Sequence, residues 1–450
     1  MRAHRGTLVR LAGPVYLELL AGVAAGVINM VWVARLGGDA VAAVAVATNV
    51  ENLLLGVVLM AASGTTVLVA RARGADDPGA LRSAVRGGTA LGALLVPPVA
   101  ICGYLLRDPL AALLLGGADH PAHALAAAYF AISLPGTAVF FATTVLDGVL
   151  KGTGDTRTPM RLAFLSNGLI LLLDPLLVHA YGVEGAAVST ILGRTAALAV
   201  GLFVLRRNAP LRAARAARPA ETTPAALRRT AATGLPMSVD FVVRMAGALA
   251  LVCVVARLGV TEIAAYGIAT KAMYVATMAF YAVRQAASIH TAHLLGAGRD
   301  ERRAVGRQAL LLGVVLGAGA GVLLLCAAGP VMRGFGAEPA VAGAGALFLR
   351  CLGPYLLLMA GFIALAGVFE GGGGSPLLAR ITVAGVLVQL PLAYVLSAAL
   401  GLAGVSLAMA LAMAGQCAAL GLLHRRTHGA DDGVAAGQEA VVTGVFSRSA

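Results

Sequence analysis

The sequence predicts an all-α, multi-pass membrane protein of twelve transmembrane helices in two pseudo-symmetric lobes of six. Three observations carry that expectation: an apolar composition, an internal repeat, and a charge that alternates between loops. Hydrophobic residues make up 59% of the 450 and charged residues 12%, about half the ~25% usual in soluble domains. Mean hydropathy is +0.87. Only many membrane spans bury that much apolar surface in a chain of this length.

The repeat sets the organisation. Val33-Ala34-Arg35-Leu36-Gly37 returns as Val255-Ala256-Arg257-Leu258-Gly259, and Ala42, Ala43, Ala47 and Thr48 return as Ala264, Ala265, Ala269 and Thr270. The same offset, without a gap, pairs Pro14 with Pro236, Glu18 with Asp240, and Gly74-Ala75 with Gly296-Ala297. A six-helix unit repeated in one direction implies an axis along the membrane normal, with function where the two copies face each other. The expected division is an N-terminal lobe over 1–205, a cytoplasmic linker over 206–230, a C-terminal lobe over 231–426 and a disordered cytoplasmic tail over 427–450. The linker is long, basic and rich in Ala and Pro, suited to lie against anionic lipid. The tail lacks apolar periodicity.

Apolar runs place spans near 8–34, 46–70, 87–106, 124–148, 160–181 and 185–205, then 231–256, 262–286, 306–328, 344–368, 378–398 and 402–423. The first is too long for a signal-peptide core and is read as a retained helix. Most approach the ~20 residues a bilayer requires, and only helices span lipid without a closed edge. Abundant Gly and Ala let neighbouring helices approach closely. After the fourth span, Leu150-Lys151-Gly152-Thr153-Gly154-Asp155-Thr156-Arg157-Thr158-Pro159 stops one helix and starts the next; Phe369-Glu370-Gly371-Gly372-Gly373-Gly374-Ser375-Pro376 does so after the tenth. Small-residue turns, Gly182 to Ala187 and Gly401 to Val405, follow the next span in each lobe.

Lys and Arg gather in alternate loops: Arg2, Arg5 and Arg10; Arg71 to Arg86; Lys151 to Arg161; Arg206 to Arg229; Arg299 to Arg307; Arg380; and Arg425, Arg426 and Arg448. The opposite loops hold only Arg35, Arg107, Arg257, Arg333 and Arg350. This bias places both termini in the cytoplasm and accounts for the net charge of +13 without nucleic acid as a partner. Five cysteines stand singly in apolar runs and read as packed thiols, with no metal or redox spacing. No phosphate-loop or His-Glu-x-x-His motif is present, which argues against an ATPase, a metalloenzyme or any other enzyme.

Together, Arg35-Leu36-Gly37-Gly38 with the Ala-Val-Ala-Ala-Val that follows, Gly152 to Pro159, Leu173-Asp174-Pro175 and Gly234-Leu235-Pro236 resemble the MATE (multidrug and toxic compound extrusion) transporters over nearly all twelve helices. The resemblance implies a cation-coupled antiporter that expels amphipathic, often cationic organic compounds by alternating access. It also marks departures. The Asp that members often carry in the first helix is Asn29 here, and the Asn four residues before the fifth-helix Asp is Ile170. The seventh-helix Glu of sodium-coupled members is Arg244, and the tenth-helix Asp aligns with Met359. Asp174 is retained. The resemblance therefore implies that the second-lobe sodium site is absent and the first-lobe acid cluster is reduced.

Ionisable residues in a span are costly and usually functional. Glu18 and Asn29 lie about 20° apart around the first helix and ~16 Å along it, so they share a face with Gly22 and Gly26. Asp174 precedes Pro175, which frees a carbonyl one turn earlier. Asp174, Glu18 and Asn29 are thus the candidate cation or proton coupling residues; structural hydrogen bonding is the bland alternative. Asp240 and Arg244 are an i, i+4 pair, either a structural ion pair or a substrate contact. Asp240, Arg244, Glu51 and Gln389 are the candidate substrate-cavity residues, with Glu51 and Lys271 as a latch between lobes. Asp147 and Lys151 read as a solvated or structural pair, and His290 and His293 as solvated loop residues.

The resulting expectation is a secondary antiporter, working as a monomer in a bacterial inner membrane, that exports amphipathic cationic compounds against proton influx, with sodium as the second choice. No cofactor or metal is expected beyond the coupling ion. The alternatives are a flippase for lipid-linked precursors and a non-transporting membrane scaffold.

Overall fold

The chain folds into helices because a helix satisfies its own backbone where no water is present. The computed structural model describes residues 2–334 and 338–446, with side chains described over 3–334 and 338–422. In order the helices are α1 (Arg2–Ala34), α2 (Gly38–Gly74), α3 (Pro78–Leu105), α4 (Arg107–Leu115), α5 (His123–Gly152), α6 (Arg157–Arg207), α7 (Ala209–Ala216), α8 (Thr223–Ala256), α9 (Val260–Gly296), α10 (Arg302–Gly334), α11 (Pro339–Cys351), α12 (Gly353–Gly372) and α13 (Ser375–Phe446). The expected disordered tail over 427–450 lies outside the residues whose side chains are described.

Among the described residues ten helices are long and apolar enough to cross a membrane. Two of them are far longer than one bilayer: α6 has 51 residues, and the spanning part of α13, Ser375–Leu422, has 48. Each turns back on itself at one glycine. Gly182 has φ 60 and ψ −133, and Gly401 has φ 57 and ψ −136, a backbone conformation that residues with a Cβ avoid. Past the turn Gly185 packs on the backbone of Leu177, and Gly404 on that of Leu396. Residues eight apart in a straight helix stand ~12 Å apart, so both segments are hairpins and the ten helices make twelve passes.

Several boundaries differ from the apolar runs. The third span begins at Pro78 rather than 87, because Asp77 accepts bonds from the amides of Gly79 and Ala80 at 2.8 and 2.9 Å and Pro78 needs no amide partner at the helix start. The tenth is split at Leu352 into α11 and α12, where Pro354 has no amide hydrogen to continue the ladder. The linker is ordered: α7 buries Leu211 and Ala214 against Leu81 and Ala84 of α3 and Leu68 and Ala72 of α2. Of the cysteines expected to be packed, Cys102, Cys253 and Cys326 are exposed, as side chains facing lipid are; Cys351 and Cys417 are half-buried.

Packing groups the chain into two compact units. The first runs from the N-terminus to Ala246 and adds Thr270–Leu316 and Ile363–Ala379. It therefore joins the first six spans and linker to the basic-loop ends of α8, α9, α10 and α12. One of its apolar clusters mixes the two copies: Leu8, Val15 and Val67 pack with Met237, Val283, Ile289 and Val368. Glycines bring the backbones together there, Gly64 against Thr230 and Gly234 against Met60. The second unit holds Gly247–Ala269, Gly317–Phe362 and the chain from Arg380. Within it Gly247 packs on Val386, Gly317 on Ala360, and the Tyr266 ring 5.3 Å from that of Phe348.

Candidate functional site

Three groups of charged side chains stand inside the first unit. The α6 hairpin builds the first. Its turn at Gly182 returns the chain so that Ser189, fifteen residues after Asp174, donates its hydroxyl to one carboxylate oxygen. Asn29 of α1 donates its amide to the other at 3.0 Å. Asp174 is 0% exposed, and no Lys, Arg or His is within ion-pair distance of it among the described residues. The fold brings Asn29 and Asp174, two of the three coupling candidates, into direct contact and adds Ser189 to them.

A cavity of about 200 Å³ lies between α2, α5 and the returning arm of α6; Asp174, Asn29 and Ser189 are not among its lining residues. Thr190 and Ala187, neighbours of Ser189, line it together with Glu51, Tyr129, Ser133 and Arg194. The Arg194 guanidinium stacks 4.4 Å from the Phe140 ring centre. The Ser133 hydroxyl is buried there with no hydrogen-bond partner. Glu51 therefore lines a cavity of its own copy of the repeat. It and Lys271 do not form the ion pair expected of a latch, because Glu51 faces inward among α2, α5 and α6.

The second group is Glu18 on α1 with Lys151 at the end of α5, at 2.8 Å. Both are largely buried, 14% and 10% exposed, so Lys151 is not solvated. Its hydrogen bond goes across to Glu18 rather than back to Asp147, the i, i+4 partner read from the sequence. The second carboxylate oxygen of Glu18 is buried without a partner. Glu18 is thus held by a cation, apart from the hydrogen bonds that hold Asp174.

The third group is a chain of four. Asp240 and Arg244 pair through two bonds of 3.2 Å, as their spacing predicts. Arg284 of α9 also reaches Asp240, at 2.7 Å, and binds Glu370 of α12 at 3.0 and 2.5 Å. Two acids and two guanidiniums balance, which is what lets Asp240, Arg284 and Glu370 remain buried beside the half-buried Arg244. Sequence reasoning missed Arg284, and took Glu370 only as the edge of a helix stop. A signal existed: in the repeat the segments 150–156 and 369–375 align, so Glu370 stands where Lys151 does, with opposite charge. Asp240, the counterpart of Glu18, then faces a second acid instead of a base, and Arg284 supplies the missing cation. Gln389 is half-buried in the second unit. His290 sits within α9, which runs past the apolar stretch to Gly296, and its ring contacts His4 at 3.0 Å rather than water in a loop.

A model of the MatE family matches the chain twice, over residues 14–176 and again over 236–395. The chain belongs to the MATE family. The two matches start at Pro14 and Pro236, the pair aligned by the internal repeat, so each copy is one family unit. Its relatives include a probable multidrug resistance protein NorM of Thermotoga maritima, 23% identical over 382 residues, which cover 82% of this chain and 81% of that protein. The multidrug resistance protein NorM of Burkholderia vietnamiensis is 29% identical over 72% of this chain and 71% of its own length. An FAD transporter of Shewanella oneidensis is 24% identical over 62% of each. The fold is similar to a solved structure described as the outward-facing conformation of a multidrug resistance MATE family transporter of the MOP superfamily, with TM-score 0.87, 21% identity and coverage of 95% of this chain and 96% of that one. This MATE protein is a multi-pass membrane transporter and not an enzyme.

Proposed function

We propose that this MATE transporter exports amphipathic, cationic organic compounds by alternating access of two six-helix lobes, 1–205 and 231–426, coupled to proton influx through Asp174. The observation that carries the reading is the isolation of that carboxylate. It is fully buried and hydrogen-bonded by Asn29 and Ser189, yet has no ion-pair partner among the described residues. A buried acid so placed must take up a proton or a cation whenever water is excluded. Glu18, already paired with Lys151, acts in support. Sodium is the weaker choice, because Arg244 occupies the position of the family's sodium-site Glu and is committed to Asp240.

In this cycle a proton arriving from outside neutralises Asp174, loosens its bonds to Asn29 and Ser189, and weakens substrate binding on that side. Loss of the proton to the cytoplasm restores affinity. Each proton entering down a 100 mV potential supplies ~2.3 kcal/mol. The cavity lined by Glu51 is assigned to the cationic part of the substrate; Asp240, Arg244 and Gln389 are each proposed as substrate contacts of the second copy, apart from that cavity. The transporter acts as a monomer in the bacterial inner membrane with both termini cytoplasmic.

The test is efflux of a cationic dye from proteoliposomes under separate pH and sodium gradients. Efflux driven by the pH gradient alone, and lost in Asp174→Asn, supports the proposal. Efflux driven only by sodium overturns the proton assignment. No dye efflux under either gradient brings forward the flippase reading.

A further inference from the structure

The ordered linker is a structure without a role in the cycle above. Residues 206–229 contain seven arginines and one acid, Glu221. Arg229 takes that acid in an ion pair at 2.5 Å. Arg206, Arg207, Arg212, Arg215, Arg218 and Arg228 remain, all exposed and none within ion-pair distance of a carboxylate among the described residues.

These cations are not on a loose tether. Arg82 of α3 donates to the carbonyls of Arg215 and Ala217 at 2.9 and 2.6 Å. The amide of Ala220 bonds Gly79 at 3.2 Å, that of Glu221 bonds Ser83 at 3.0 Å, and Arg86 donates to Thr223 at 2.5 Å. With Leu211 and Ala214 buried, α7 is fixed, and Arg212 and Arg215, one turn apart, share its outer side. Beneath the strap a crevice of about 50 Å³ is lined by Arg71, Arg229 and Ser83 as well as Glu221. Within it the Nε of Arg71 is buried with no acceptor.

The surroundings select the partner. Just before the strap, at the end of α6, Leu202 and Phe203 are 43% and 54% exposed, and Arg207 lies 4.2 Å over the Phe203 ring. A surface that is apolar on one side and cationic on the other matches acyl chains topped by anionic headgroups. A soluble polyanion has no use for the apolar half. We propose that the strap 206–229 is a preformed docking surface for anionic phospholipid, with headgroup phosphates held by Arg212, Arg215 and Arg218.

The purified chain is placed in nanodiscs of equal phosphatidylcholine and phosphatidylglycerol, and the lipids that remain on it after transfer to detergent are counted by native mass spectrometry. Phosphatidylglycerol is expected to be retained in excess by the wild type and by a triple Arg→Lys variant at 212, 215 and 218. In the triple Arg→Gln variant the excess falls at least about tenfold, since each basic residue near an anionic surface contributes ~1 kcal/mol. A second measurement uses the wild type alone: the excess declines as salt rises from low to high, as exposed charge pairs are screened. No excess in the wild type, or an equal excess in the Gln variant, overturns the proposal. Retention needs no transport, so this result is independent of the coupling ion and the exported compound.

Discussion

Arg284 gives the sharpest energetic expectation. Its guanidinium is 9% exposed and joins Asp240, 2% exposed, to Glu370, 9% exposed. Arg284→Met removes the bonds to both acids at once. Asp240 keeps Arg244, but Glu370 loses its cation in a site with almost no water. Removing one partner of a buried ion pair costs ~3–5 kcal/mol. One pair near 4 Å at an effective dielectric of 20 is worth ~4 kcal/mol by Coulomb's law, so the two figures agree. The double variant Arg284→Met/Glu370→Met leaves the neutral Asp240–Arg244 pair and replaces the rest by apolar volume, a change expected within ~2 kcal/mol of the wild type. Unfolding by SDS titration in bicelles gives all the corners of the cycle. A single variant within ~1 kcal/mol of the wild type, or a double variant as unstable as the sum of the singles, would refute the argument.

Three further outcomes follow from the same geometry. Lys151→Met leaves Glu18 buried beside Asp147 without its cation and should destabilise by ~3 kcal/mol in the same titration, while Lys151→Arg should stay near the wild type. Ser189→Ala removes one of two donors to Asp174; a bond to a charged group is worth ~1.5–3 kcal/mol, so pH-driven efflux should fall by roughly tenfold or more, and Ser189→Thr should retain most of it. Gly234→Ala sets a methyl group into the Met60 carbonyl, which costs ~1–3 kcal/mol of overpacking and pushes α2 from α8; a cysteine introduced at Thr230 should then label faster with a water-soluble maleimide, and an unchanged rate would count against this close packing of α2 on α8.

Much of this was legible in the sequence because it is written in local patterns. The spans follow from apolar runs, the repeat from a gapless offset, and the Asp240–Arg244 pair from a helical spacing. Asp174 could be singled out by its position in a span beside Pro175. What escaped were contacts made by folding. Ser189 reaches Asp174 only because Gly182 reverses the helix within one residue; the small residues from Gly182 to Ala187 mark that turn in the sequence, but not which side chains of the two arms meet. Arg284 pairs with residues 44 and 86 positions away, beyond any spacing rule, although an arginine inside a span must have a partner. The order of the linker escaped for a related reason: α7 has too few residues to be stable alone, and its fixation comes from α3.

The hairpin turns at Gly182 and Gly401 bear on how the chain enters the membrane. A reversal made by one residue leaves no loop on that side of the bilayer, so neither arm carries basic flanking charge there to orient it. In the first hairpin Glu184 stands beside the turn, while the basic flanks lie at the far ends, Arg157 and Arg161 before it and Arg206 and Arg207 after it. The arms are joined by a turn too short to form a loop in water, which disfavours inserting them one at a time with the turn as a resting point. Each hairpin must enter lipid as a single object, its basic ends left behind together, and a substitution that straightens Gly182 would be felt first as failed biogenesis rather than as slow transport.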